Sequence, residues 1–202
     1  MIARHWLQSI AIVGLLLVVV LLSGCYFNAF QTARTVGKGN AALTVGCGVI
    51  NVAIPGEYDW LFTPQGRITI GLTDNLDIGV QSGMKIWSTG EPTFLGIAGD
   101  LKIGLIQDPQ SISFALGIGA SYQPGVLGWG VAGSVWLDSN LPFLPVFFVY
   151  RPMLLLGADP LSIVHHVGGG LHLDLSDHVR LLVEIDSWNG ELGGGISLDI
   201  IF

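Results

Sequence analysis

The last eleven residues of the chain, 192–202, alternate strictly between two kinds of side chain. Large apolar side chains take most of one set of alternate positions, and small or polar side chains take the other. Successive side chains of a β-strand point to opposite faces, so this segment predicts a strand with one apolar and one polar side. The apolar set is Leu192, Gly194, Ile196, Leu198, Ile200 and Phe202, and the second set is Gly193, Gly195, Ser197, Asp199 and Ile201.

The same alternation recurs along most of the chain. Half of the residues are hydrophobic and 11% are charged, yet after residue 24 no run approaches 18 consecutive apolar residues. Apolar residues at every second position are typical of a transmembrane β-barrel. We therefore predict an all-β fold: a closed antiparallel up-and-down transmembrane barrel over 40–202, of about ten strands, with eight as the alternative, preceded by a signal-peptide helix. The ten segments are 40–52, 66–73, 76–87, 94–106, 111–122, 127–137, 143–153, 163–174, 178–187 and 192–202.

The non-aliphatic face favours a membrane barrel over a soluble one. In segment 94–106, Leu95, Ile97 and Leu101 share the aliphatic face, and the other face is mostly Gly and Ala with a few charges. A soluble barrel that binds an apolar ligand would turn the aliphatic face inward and present Lys and Glu to water. Small residues make a poor hydrated surface but a good narrow lumen. The soluble barrel stays a second alternative.

The predicted connections alternate in length. Turns at 73–75, 108–109, 138–140 and 175–177 are short, whereas those at 57–65, 88–93, 123–126, 154–161 and 188–191 are longer. With an even strand number, both termini and the short turns lie on one side, which is the periplasmic side in outer-membrane barrels. An aromatic girdle is expected at the longer loops, formed by Trp60, Trp87, Phe94, Tyr122, Trp129 and Trp188.

The start of the chain has the order of a secretory signal. Arg4 and His5 precede an uncharged run at 10–22, too short to span a bilayer comfortably. The run ends in Leu-Ser-Gly-Cys25, which resembles the bacterial lipoprotein processing box. The resemblance implies a signal peptide at 1–24, lipid attachment at Cys25 and an acylated tether at 25–39. An uncleaved anchor helix is the alternative.

The closing segment resembles the last strand of bacterial outer-membrane β-barrels. In that family the terminal aromatic residue, here Phe202, is read by the barrel-assembly machinery. The two resemblances together imply a lipid-anchored protein of the bacterial outer membrane with both termini in the periplasm. Its expected partners are outer-membrane lipid and the lipoprotein-processing and barrel-assembly machineries. A net charge of −7 disfavours nucleic acid as a partner, and the oligomeric state stays open.

Strand parity assigns a set of charged residues to the lumen. Charges enclosed by a low-dielectric wall must be paired or hydrated, so the set predicts an ion-pair network that plugs the barrel or, alternatively, a narrow polar path. Gln81 shares this parity. The charged and titratable set is Arg67, Asp77, Lys85, Asp100, Lys102, Arg151, His166, His172, Asp174, His178, Arg180, Glu184, Asp186 and Asp199.

The densest polar stretch lies in segments 163–174 and 178–187. A three-residue turn at 175–177 would set Asp174 opposite His178, His172 opposite Arg180 and His166 opposite Asp186. A register shifted by one pair would join Asp174 to Arg180 instead. In either register, imidazoles and carboxylates share one wall, where a His backed by a carboxylate could act as a general base.

The function predicted from these features is structural or interactive, or limited passage of small solutes through a polar lumen. No catalytic residue, cofactor or metal site is predicted, and Glu57 and Asp59 are interpreted as solvated charges. Gly168–Gly170 and Gly193–Gly195 lack the context of phosphate loops and are expected to relieve crowding.

A lipid-modifying enzyme, similar to barrels that deacylate or acylate lipid A, is the alternative function. The His-x-Ser arrangement of the deacylases is absent. Ser162 and His166 share a face but lie about 13 Å apart at the strand rise, beyond hydrogen-bond reach. The least unfavourable outward pair is Ser187 with His165.

Replacement of Cys25 by Ser is expected to abolish incorporation of labelled palmitate, because the thioether to lipid cannot form without the thiol. Cys47 is the other cysteine and serves as the matched control. Cys47→Ser should label like wild type when cells are fed the fatty acid and the protein is recovered. Label retained in Cys25→Ser would contradict the lipoprotein prediction.

Overall fold

A computed structural model of the chain describes ten β-strands. The described residues are 30–54, 57–88, 90–108, 110–124, 128–141, 143–156, 162–188 and 191–202. The signal peptide and Cys25 lie outside them. The strands are β1 Ala41–Ile54, β2 Glu57–Thr73, β3 Leu76–Trp87, β4 Thr93–Gln107, β5 Ile112–Gln123, β6 Gly128–Ser139, β7 Val146–Leu156, β8 Ser162–Ser176, β9 Val179–Trp188 and β10 Glu191–Ile201.

The ten strands form one closed barrel. Each strand pairs antiparallel with its neighbour in sequence, and β1 closes against β10 in a register that runs from Ala42↔Ile201 to Ile50↔Gly193. Closure leaves no open sheet edge around the ring, which is what a sheet surrounded by hydrocarbon requires. The predicted up-and-down barrel is confirmed, with ten strands rather than eight. Among the described residues, none forms a helix long and apolar enough to cross a membrane.

The connections do not show the predicted contrast in length. We name the end at which Asn40 and Phe202 meet the terminal end, and the opposite end the far end. Four connections of two to six residues lie at the terminal end and five of two to five residues at the far end. The predicted first loop, 57–65, is wrong because these residues pair with β1 throughout. The seventh strand starts late, at Val146, because Pro145 has no N–H for the ladder.

The outer surface of the barrel is an aliphatic belt, and the lumen is polar. Val45, Ile118 and Leu105 are more than half exposed on strands, whereas Arg67, Lys102 and Glu184 are buried. An apolar ligand cavity with a hydrophilic exterior is therefore ruled out as a description of this barrel. The face assigned to Leu95 was wrong: a bulge between Gly83 and Met84 on the β3–β4 pair turns it inward, where it is 1% exposed.

The predicted girdle is confirmed only in part. Trp60, Phe94 and Trp129 are exposed near the far end. Tyr122 packs on Trp129 with ring centroids 4.8 Å apart. Trp188, by contrast, is 3% exposed inside the lumen, and Trp87 packs partly buried against the same interior cluster. The face of the strand on which a residue lies decides whether it points to the lumen or outward. A position near a loop is not enough to predict this.

Residues 30–36 of the predicted tether occupy the lumen. Phe30, Thr32 and Ala33 are buried within the barrel. The chain leaves the lumen at the terminal end through Gly37 and Gly39, both at positive φ of 82° and 80°. A Cβ on Gly71 would collide with the carbonyl of Gly37, so the exit needs glycine on the wall as well. We call residues 30–36 the plug.

Replacing Ile118 by Arg tests the belt. Ile118 is 60% exposed at the middle of β5, where a charge should destabilise a bilayer-inserted barrel by about 2–4 kcal/mol. Leu175, 61% exposed beside a terminal-end turn, is the matched site, where Arg should cost about 0–1 kcal/mol. Urea unfolding in lipid vesicles measures both free energies, and equal small losses would contradict a membrane-embedded belt.

Candidate functional site

The lumen wall on β2, β3 and β4 carries two buried ion pairs. The guanidinium of Arg67 donates two hydrogen bonds to Asp100, at 2.7 and 2.8 Å. Lys102 Nζ lies 3.3 Å from a carboxylate oxygen of Asp77, and both side chains are at most 5% exposed. Alternation along three adjacent strands brings these four groups to one side of the lumen. All four belong to the predicted lumen set.

The plug is bound to this wall through its backbone. Lys102 Nζ donates to the carbonyls of Thr32 at 3.2 Å and Arg34 at 2.7 Å. The Val36 amide donates to the Asp77 carboxylate at 3.2 Å. Charged groups of the wall therefore satisfy peptide groups that would otherwise be buried without partners.

Side chains of the plug extend the same network. With its amide oxygen turned toward Arg67, Gln31 accepts from the guanidinium at 2.7–3.0 Å. Gln107 on β4 donates to the Ala33 carbonyl at 3.0 Å and accepts from the Thr35 amide at 2.8 Å. Side chains of β2 and β4 thus bind the plug in addition to the contacts made by Lys102 and Asp77.

A second group of charges closes the terminal end. Asp174 accepts from Arg180 at 2.7 Å and from Arg34 of the plug at 2.9 Å. His172 Nδ1 accepts from Arg34 at 3.2 Å, and its Nε2 donates to the Ser139 carbonyl at 3.0 Å. The register that joins Asp174 to Arg180 is the observed one, and a bulge between Asp174 and Ser176 produces it.

Halfway along the lumen lies a cluster of three fully buried groups. His166 Nε2 is 3.4 Å from Asp186 Oδ2 and 3.9 Å from Glu184 Oε1. The indole of Trp188 stacks on the imidazole with centroids 4.8 Å apart. The other carboxylate oxygen of Glu184 accepts from the Phe30 amide at 2.8 Å. The tip of the plug therefore reaches this cluster.

Apolar packing fills the remaining space around the plug. The Phe30 ring packs with Phe147 and Leu182, and Ala33 packs in a cluster with Trp136 and Val149. Gly46 on β1 lies against the same ring: a Cβ there would sit 2.7 Å from a ring carbon of Phe30. Glycine on the wall thus makes room for an aromatic side chain in the lumen.

The far half of the lumen is narrowed by hydrophobic side chains. Leu61, Met153, Val164 and Trp188 are buried in one cluster there. The cavity beside this cluster, lined by Asp100, Ser134 and Arg151 among others, has about 20 Å³ of open volume. That is room for about one water molecule.

The structure buries most of the predicted lumen set. Two members are exposed: His178 lies in the Asp177–His178 turn, and Asp174 is 48% exposed at the mouth. Three members, Lys85, Asp100 and Asp199, are partly buried, and Asp199 accepts from the hydroxyl of Thr44. The buried members are Arg67, Asp77, Lys102, Arg151, His166, His172, Arg180, Glu184 and Asp186.

Several lumen residues were missed by parity reasoning. Arg34 and Gln31 belong to the predicted tether, for which no signal in the residues indicated an interior position. Asp138 was assigned to a turn but is 1% exposed on β6, and Gln107 was placed beyond the fourth segment. Continuing the alternation of β6 by one residue would have found Asp138. Gln107 has the opposite parity to Lys102 and Gly104, and a bulge between Gly104 and Ile106 turns it inward.

The residues considered for lipid chemistry do not converge. His165 on the outer face forms a hydrogen bond with Tyr150 Oη at 2.9 Å. Ser187 lies opposite Val167 in the ladder. Ser162 is exposed at the start of β8, whereas His166 is fully buried.

Known proteins resemble this chain only at low similarity. No protein-family model matches it, and no curated protein matches it. The N-terminal β-barrel domain of Pseudomonas aeruginosa OprF is 11% identical, covers 82% of this chain and 99% of its own, and has a TM-score of 0.39. KdgM porin is 9% identical, with coverages of 79% and 98% and a TM-score of 0.40. Ail of Yersinia pestis is 7% identical, with coverages of 82% and 99% and a TM-score of 0.31.

The class of the protein follows from its own construction. An even number of antiparallel strands closed into a ring, apolar outside and polar inside, defines a membrane-spanning β-barrel. Residues 30–36 fill part of its lumen, so it is a plugged barrel.

Lys102→Met tests the bond between wall and plug. The change removes the cation beside buried Asp77 and the donor to two plug carbonyls, so we expect a loss of about 3–5 kcal/mol in the free energy of unfolding. Lys85→Met, at the half-buried lysine, should change it by less than about 0.5 kcal/mol. Urea titration of both variants checks this, and similar values would contradict the assigned role.

Proposed function

We propose that this protein is a closed outer-membrane β-barrel lipoprotein with a structural or interaction role, rather than a channel. The observation that carries the proposal is the filling of the lumen from both ends. The plug fills the terminal half, and the cluster of Leu61, Met153 and Trp188 narrows the far half. A conducting pore needs a continuous hydrated path, and the cavity beside the far cluster has about 20 Å³.

The outer-membrane location rests on the build of the barrel. Closed antiparallel barrels with a lipid-facing belt are the β-structures that span bacterial outer membranes. Residues 40 and 202 lie at one end, where Ala41 and Phe202 exchange two backbone hydrogen bonds. In this proposal the terminal end faces the periplasm and Cys25 carries lipid.

The hydrogen bonds that hold the plug in the lumen support a structural role and disfavour transport. Its peptide groups bond to Lys102, Asp77, Gln107 and Glu184 on several strands. Contacts of this kind link distant parts of the ring and resist its deformation. Small-solute passage would require the plug to leave the lumen. Lys102 and Asp77 would then lose their hydrogen bonds to the plug backbone inside the barrel.

Release of ions and graded sugars from liposomes tests the proposal. The folded full-length protein should release neither, because the plug fills one half of the lumen and hydrophobic side chains narrow the other. A variant with residues 30–36 replaced by a Gly/Ser segment of equal length should release ions faster than wild type. Lys38→Ala, just outside the plug, should behave like wild type.

Folding must be verified in each preparation by the β-type circular dichroism spectrum and by resistance to protease. Ion release by folded wild-type protein at a rate that matches the plug-replaced variant would overturn the closed-barrel proposal and revive the narrow polar path. If the replaced variant does not fold, Arg34→Ala and Gln31→Ala together provide the weakened plug. Their folded form should leak more than wild type.

A further inference from the structure

The fully buried cluster on β8 and β9 has the composition of a metal site. Imidazole nitrogen and carboxylate oxygen are ligands that divalent transition metals accept, with bonds of about 2.0–2.2 Å to zinc. We propose that His166, Glu184 and Asp186 bind one divalent transition-metal ion, Zn²⁺ in the first place, inside the lumen. The three residues lie 2 to 20 positions apart in the sequence, and the β8–β9 pairing brings them together.

Two of the distances between ligand atoms are close to those of a tetrahedral ion. In a tetrahedron with bonds of about 2.1 Å, ligand atoms are about 3.4 Å apart. His166 Nε2 lies 3.4 Å from Asp186 Oδ2 and 3.9 Å from Glu184 Oε1. One ligand atom from each residue falls within 4.8 Å of the others. Bringing a separation of 4.8 Å to about 3.4 Å needs a movement of about 1.4 Å, and a water molecule could take the fourth position.

The state of His166 is the independent observation that points to a ligand. Its side chain is fully buried, and among the described residues neither ring nitrogen has a hydrogen-bond partner of acceptable geometry. A buried polar group without a hydrogen bond costs about 1–3 kcal/mol. Its Nε2 points toward two carboxylates, and an ion between them would satisfy it.

The surroundings hold the ligands in place, as in established metal sites. Glu184 uses Oε2 to accept from the Phe30 amide at 2.8 Å, which leaves Oε1 toward the imidazole. A Cβ on Gly168 would lie 2.8 Å from this Oε1, and one on Gly170 would collide with the Val183 carbonyl. The absence of side chains at both glycines therefore makes the room in which the carboxylate sits.

Charge and donor type select the kind of ion. Arg151, opposite His166 on β7, supplies one positive charge at this level. With a neutral imidazole, two ionised carboxyl groups exceed it by one negative charge, which a divalent ion more than offsets. One nitrogen and two oxygens suit zinc and its neighbours, whereas calcium takes six to eight oxygen ligands. The site is therefore assigned to a transition metal.

The test is the metal content of the full-length protein, purified in detergent without a histidine tag and equilibrated with Zn²⁺. After dialysis against a weak chelator, mass spectrometry of the metal should find about one zinc per chain. Asp186→Asn and His166→Gln should each bind zinc at least about tenfold more weakly, because even second-shell changes cost about 10–100-fold. Co²⁺ substitution should give the visible absorption of a four-coordinate site in wild type.

The matched controls are two histidines outside the cluster, changed as His165→Gln on the outer face and His178→Gln in the turn. Both should keep one zinc. Folded wild-type protein without stoichiometric zinc would overturn the proposal, as would unchanged zinc in Asp186→Asn or loss in the control variants. If Asp186→Asn does not fold, Glu184→Gln replaces it, and the wild-type cobalt spectrum decides independently. Liposome closure is a separate measurement, so failure of one proposal leaves the other standing.

Discussion

The structure depends on the cost of enclosing charge within a ring of strands. A lumen of this width admits side chains and little water, so each enclosed charge needs a partner from the protein. Arg67 with Asp100 and Lys102 with Asp77 meet this need between strands. The wall alone does not satisfy every charged group, because Lys102 also donates hydrogen bonds to two carbonyls of the plug.

The plug and the wall therefore satisfy one another. An extended segment inside a barrel would bury peptide groups without partners, because it has no neighbouring strand. Here the polar wall replaces that neighbour, and Gly46 and Gly71 give the backbone and the Phe30 ring room to approach. The plug that these contacts stabilise also fills part of the lumen. For this reason the geometry favours a structural or interaction role over that of a channel.

The buried cluster connects the plug to the proposed metal site. Glu184 faces His166 with one oxygen and the amide of Phe30 with the other. A bound ion would fix the carboxylate that anchors the tip of the plug. In this view the ion stabilises closure.

The alternation of side chains in the sequence by itself determines much of the architecture of this protein. A period of two fixes which residues of a strand share a face, so the closed barrel, the aliphatic belt and most of the lumen set could be predicted from the residues. Local pattern also located nine of the ten strand segments closely. The prediction of strand boundaries was least accurate at strand ends. Residues 57–65 belong to β2, and Asp138 and Gln107 are paired strand residues of β6 and β4.

Three features were decided by the tertiary structure alone. A bulge adds one residue to a strand and reverses the faces beyond it, and its position depends on the partner strand, as with Leu95. The bulge beyond Asp174 sets the register that pairs it with Arg180. The interior position of residues 30–36 depends on wall groups from distant strands. The cluster of His166, Glu184 and Asp186 depends on the register of β8 against β9. Sequence periodicity specifies faces within a strand, whereas register, bulges and the filling of the lumen are set by contacts between residues far apart in the chain.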